Sequence, residues 1–81
     1  MNLIKVYGSG CSNCKKLEAM CYEVLQEQNI NATVEKVTDI QEIVKSGIMS
    51  TPGLEINGKM ISHGKLPLKS TLVHWIKENI N

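Results

Sequence analysis

The feature that most narrows what this chain can become is Gly10-Cys11-Ser12-Asn13-Cys14, set between the apolar run Leu3-Ile4-Lys5-Val6-Tyr7 and a long helical pattern. Two cysteines three residues apart in the first turn of a helix have Cα atoms roughly 5 to 5.5 Å apart, inside the window of about 4.4–6.8 Å that a disulfide accepts. Such a pair can open and close without moving the chain far. Thiol chemistry at a strand-to-helix junction is therefore the first expectation.

Eighty-one residues suit a single domain, 1–81, with one core and little surplus. Phe is absent and Tyr7, Tyr22 and Trp75 are the only aromatics, so the core must come from Ile, Leu and Val. Recognition of nucleic acid by base stacking is not expected from so few rings. Nine basic against eight acidic side chains leave a net charge of +1 without a dense basic stripe, so neither a phosphate backbone nor a membrane surface is an expected partner. The opening segment carries Lys5 and lacks the basic-then-apolar pattern of a leader, and no apolar run approaches the ~20 residues that span a bilayer. A soluble, cytoplasmic protein is expected. Three cysteines are too few for a secreted disulfide scaffold, whereas Cys-x-x-Cys beside a βα pattern in a reducing compartment reads as catalytic redox chemistry or metal binding.

Asn2 to Tyr7 is an apolar, β-branched run that predicts a buried strand. From Ser12 to about Gln28, Leu17, Cys21, Val24 and Leu25 recur at helical spacing, with charged residues elsewhere on the surface. Asn29-Ile30-Asn31 breaks that helix, and Ala32 to Lys36 alternates as a second strand, giving a βαβ unit with a parallel pair. Thr38-Asp39-Ile40-Gln41 fits a capping box for a short helix, with Ile40, Ile43 and Val44 on one face and a stop at Gly47. Gly53 to Ile56 and Lys59 to Ser62 flank Asn57-Gly58, which predicts a tight hairpin with a type I′ turn. A last helix is expected from about Leu68 to Asn79, with Leu72, Val73, Trp75 and Ile76 facing inward.

The order β-α-β-α-β-β-α, with Cys-x-x-Cys at the first βα junction and Thr51-Pro52 entering the third strand, resembles the minimal thioredoxin/glutaredoxin fold. More narrowly, Tyr7 to Leu17, Thr51 to Lys59, and Gly64-Lys65-Leu66-Pro67 are similar to the small redox-active disulfide proteins, compact thioredoxin-like proteins of archaea and bacteria. The resemblance implies an α/β thioredoxin-like fold with a four-stranded mixed sheet and flanking helices. It also implies a cis peptide bond before Pro52, and Cys11 and Cys14 as the redox-active disulfide. In such proteins the loop carrying this proline lies against the redox pair. Thr51 and Pro52 are then expected to bind substrate, the free backbone of Thr51 pairing with an extended segment by strand addition. Ser62-His63-Gly64-Lys65 does not match the glutathione-holding element of glutaredoxins.

An unperturbed thiol, with pKa ~8.5, is only about 3% thiolate at pH 7, and thiolate is the attacking species. A helix N-terminus supplies ~0.3–1 kcal/mol of stabilisation to an anion, up to ~2 kcal/mol when partly buried. Cys11, nearest the helix start, is the expected nucleophile, with Lys15 adding a little; Cys14, one turn deeper, is the expected resolving thiol. Cys21 lies too far along the helix to bridge Cys14 and reads as a small buried hydrophobe. His63 and His74 lack metal-ligand spacing, so no metal site is expected of them. Trp75 reads as the aromatic anchor of the last helix, and Tyr7 either packs beneath the thiols or closes the core.

The sequence thus predicts an enzyme, a thiol–disulfide oxidoreductase of disulfide-containing protein substrates. It would be re-reduced by a separate thioredoxin reductase-like donor, since nothing in the chain suits a nicotinamide or flavin cofactor. Monomer is the default expectation. The alternative is a soft-metal carrier of Cu(I) type using the same two thiolates. Heavy-metal domains run β-α-β-β-α-β with Met-x-Cys-x-x-Cys, whereas this chain has Ser9 at the methionine position and a helix predicted last.

Overall fold

A computed structural model describes residues 2–80. The chain runs β1 (Leu3–Tyr7), α1 (Ser12–Glu27), β2 (Thr33–Val37), α2 (Ile40–Lys45), β3 (Gly53–Ile56), β4 (Lys59–His63) and α3 (Lys69–Asn79). One sheet takes all four strands in the order β2-β1-β3-β4. β1 is parallel to β2, while β1–β3 and β3–β4 are antiparallel. This is the expected mixed α/β sheet, with β2 one residue later than the alternation suggested.

The two faces of the sheet differ in chemistry. Side chains alternate across a strand, so Ile4 and Val6 of β1 join Leu54 and Ile56 of β3 on one face. Leu17, Cys21, Val24 and Leu25 of α1 and Leu72 and Ile76 of α3 close over them, forming one core. Val73 and Trp75 pack against its margin, half-buried. The opposite face carries Lys5, paired in register with Glu35 on one side and Glu55 on the other. Opposite charges facing each other across strands stabilise this face, which also buries the ring of Tyr7.

That charged face explains why α2 leaves its apolar residues in solvent. Ile40 and Val44 are each 69% exposed, and no side chain of α2 is buried. The apolar stripe exists in the sequence, yet the surface beneath it is ionic. The cap is also Asp39, not Thr38: its Oδ1 accepts from the Gln41 N–H at 2.8 Å.

The β3–β4 turn is the predicted one, with Asn57 and Gly58 both at positive φ, 51° and 84°. Asn57 does more than turn the chain. Its Oδ1 accepts from the Leu3 N–H at 2.8 Å, and its Nδ2 donates to Asn2 Oδ1 at 3.0 Å and to the Asn79 carbonyl at 2.7 Å. The hairpin tip therefore ties the start of β1 to the end of α3. α3 begins without a side-chain cap at Leu68, and Lys69 instead reaches across to Glu27 and Glu23 of α1. No helix among the described residues is long and apolar enough to cross a membrane.

Candidate active site

β1 ends at Tyr7, and the next residue keeps the chain on the sheet: the Gly8 N–H donates to the Val37 carbonyl at 2.9 Å. Gly10, at φ 98°, then turns the backbone through a region that side chains disfavour. The turn delivers Cys11 in an extended conformation, φ −65° and ψ 163°, as the N-cap of α1. Its Sγ accepts from the Cys14 N–H at 3.2 Å, and its carbonyl accepts from the Lys15 N–H at 3.1 Å. The nucleophile expected at the helix start is thus the cap itself. A thiolate there keeps the hydrogen bond from the Cys14 N–H and meets the positive end of a 16-residue helix with no acidic side chain in its first turn.

Cys11 and Cys14 form a disulfide, with Cα atoms 5.1 Å apart. The two sulfurs are not equivalent. Cys11 is exposed, whereas Cys14 is only 5% exposed. Behind Cys14 lies a cavity of about 50 Å³, bordered by Gly8, Gly10, Lys15, Glu18, Lys36 and Thr38. Lys36 Nζ stands 3.9 Å from Glu18 Oε1 there.

The Thr51–Pro52 peptide is cis, and Pro52 is buried. A Cβ placed on Gly8 would touch both Cys14 and the Thr51 Cβ, the latter at 3.8 Å, so the Thr51 loop borders the disulfide. Pro52 is held from the other side, its carbonyl accepting from the Gly64 N–H at 2.9 Å. Among the described residues no backbone hydrogen bond engages Thr51, which is half-buried. All four residues singled out from the sequence, Cys11, Cys14, Thr51 and Pro52, therefore meet at one end of the sheet. Sequence reasoning passed over Gly8, Glu18 and Lys36. The only signal for Gly8 was a glycine immediately after a strand, and nothing marked the pairing of α1 with β2.

The remaining candidates lie elsewhere. Tyr7 points to the charged face, where its hydroxyl donates to Glu55 Oε1 at 2.9 Å. Burial first, and the Glu55 carboxylate second, push its hydroxyl up to about 12. Cys21 is fully buried in the core, which pushes its thiol up to about 12 as well. His74 is exposed and sits 3.3 Å from Glu78. Among the described residues no three His, Cys, Asp or Glu side chains are grouped to hold a metal ion.

A family model of the thioredoxin domain matches residues 2–77 of this chain. The chain belongs to the thioredoxin family. It is 33% identical to a thioredoxin of Methanothermobacter thermautotrophicus over 72 residues, covering 89% of this chain and 94% of that one. With a thioredoxin of Methanocaldococcus jannaschii it shares 31% identity over 80 residues, 99% of this chain and 87% of the other. Among solved structures, oxidised mitochondrial thioredoxin 3 of Saccharomyces cerevisiae superposes with a TM-score of 0.67 at 14% identity. That match covers 95% of this chain and 77% of the yeast chain, and it shows the shared fold. Family membership and the Cys11–Cys14 disulfide establish thiol–disulfide oxidoreductase function for this thioredoxin-like protein. The helix that follows the hairpin completes the thioredoxin order of elements and departs from that of heavy-metal domains. Thioredoxins act on disulfide substrates and are reduced by thioredoxin reductase.

Proposed function

We propose that this protein reduces disulfides in protein substrates, with Cys11 as the attacking thiol and Cys14 as the resolving thiol. The observation that carries this division is their unequal exposure: a substrate sulfur can reach Cys11 but not Cys14. In the dithiol form the Cys11 thiolate attacks one substrate sulfur, the substrate S–S bond breaks, and the departing sulfur takes up a proton. A mixed disulfide joins Cys11 to the substrate. Cys14 then loses its proton and attacks Cys11 Sγ, the mixed disulfide breaks, and the second substrate sulfur leaves as a thiol. Two electrons have passed from the protein to the substrate, and Cys11–Cys14 is closed.

Thr51 and Pro52 bind the substrate in this reading. The unengaged N–H and C=O of Thr51 offer an extended segment two main-chain hydrogen bonds beside the reacting sulfur. Main-chain pairing is tolerant of sequence, which suits a reductase of many proteins. A separate thioredoxin reductase-like donor returns the electrons, and the setting is the cytoplasm.

The deciding experiment compares Cys14→Ser with Cys11→Ser. Cys14→Ser should hold a covalent mixed disulfide with a substrate disulfide, visible by mass and released by dithiothreitol. Cys11→Ser should trap nothing and lose reductase activity. Trapping by Cys11→Ser, or full reductase activity in it, would reverse or remove the assignment.

A further inference from the structure

We propose that Gly8 is a positioning residue for the redox pair: its bare Cα makes the seat of the Cys14 sulfur in the disulfide, and so sets the balance between disulfide and dithiol. The inference rests on Cys11 and Cys14 being the exchanging pair.

Gly10, Gly47, Gly58 and Gly64 have positive φ and serve the backbone's turns. Gly8 does not belong to that group. Its N–H makes an ordinary bond to Val37, and its φ lies outside the left-handed region that favours glycine. What excludes a side chain at position 8 is the neighbour. A Cβ there would overlap Cys14 Sγ and lie 3.0 Å from Cys14 Cβ. Cys14 has little freedom to retreat, because its helix is pinned on the same side by Leu17 and Cys21, both fully buried.

The two redox states feel such a Cβ differently. Closing the pair joins the two sulfurs, two electrons and two protons passing to a partner disulfide, and fixes Cys14 Sγ against Gly8. Opening the pair frees χ1 of Cys14, so its sulfur can leave the place against Gly8 where the closed disulfide holds it. A methyl group on residue 8 therefore penalises the disulfide more than the dithiol. Overpacking of this kind in a well-packed site is costly.

The test titrates wild type and Gly8→Ala against reduced and oxidised dithiothreitol, with acid quench, alkylation and intact mass. Gly8→Ala should lower the equilibrium constant for closing the pair by about tenfold or more, a rise in potential of about 30 mV per factor of ten. A second measurement compares the urea stability of Gly8→Ala in oxidised wild type and in a Cys14→Ala background. The cost of the methyl should be large beside the disulfide and much smaller without the sulfur. Folding of Gly8→Ala only in the Cys14→Ala background gives the same support. An unchanged or larger closing constant, equal cost in both backgrounds, or failure to fold in both overturns the proposal. If the wild-type pair itself does not close reversibly, the underlying assignment of the pair falls. If it closes and Gly8→Ala matches it, the role of Gly8 alone is lost.

Discussion

A helix N-terminus and an apolar core act in opposite directions on a thiol, and α1 presents one cysteine to each. Cys11 accepts an N–H at the cap, whereas Cys21 is sealed in the core with its thiol pushed up to about 12. In the reduced native protein, iodoacetamide near pH 7.5 should label Cys11 rapidly and Cys21 only after unfolding, as peptide mapping would show. Labelling of Cys21 at a comparable rate would contradict its placement. The sign of the pH effect follows from the same shift. Above the ordinary pKa near 9 the unfolded chain gives up a proton that folded Cys21 retains, so stability falls as pH rises from about 9 toward about 12. Tyr7, raised from 10 to about 12, adds to the fall above pH 10. Urea midpoints at about pH 8 and about pH 10.5 should differ less in Cys21→Ala than in wild type. An identical decline would place the alkaline sensitivity elsewhere. At this scale the redox cysteines were legible because spacing alone brings them within bonding reach. Gly8 was not, since a glycine required for its bare Cα looks the same in a sequence as one required for its φ.

Elements succeed or fail according to what lies beneath them. The hairpin was legible from Asn57-Gly58, because positive φ at both turn positions is a local demand. The three bonds from the Asn57 side chain to residues 2, 3 and 79 were not, being set by the tertiary fold. Asn57→Gly keeps the turn and removes those bonds, so urea unfolding should show a loss of roughly 2–3 kcal/mol at about 1 kcal/mol per bond. A loss below about 0.5 kcal/mol would mean that the turn alone matters. α2 was legible as a helix but not as an unburied one. Its apolar residues predict packing only if the sheet's near face is apolar, and Lys5, Glu35 and Glu55 make that face ionic. Val44→Ser should therefore change stability by no more than about 0.5 kcal/mol, whereas Leu72→Ala, removing a fully buried side chain of α3, should cost about 2–5 kcal/mol. Comparable costs in thermal or urea unfolding would show that α2 is docked after all.

Over the whole molecule, division of labour between the sheet's faces explains how so short a chain supports redox chemistry. One face gathers α1 and α3 over β1 and β3 into the single core, and that core fixes the first turn of α1 against the end of β1. The loop holding Pro52 is secured in turn by Gly64, just beyond β4. Thus the disulfide is carried by packed elements on one side and borders an open main-chain segment on the other. Such a frame allows the pair to change its bonding with little motion of the rest. The most direct test is an equilibrium titration of the metal-free protein in thiol/disulfide buffers, acid-quenched and alkylated, with the modified peptides identified by mass. One reversible two-electron transition confined to the peptide bearing Cys11 and Cys14, near or below about −200 mV, is the expected result for a reductase. A pair that will not close reversibly, or closes only at potentials far above that range, would contradict it.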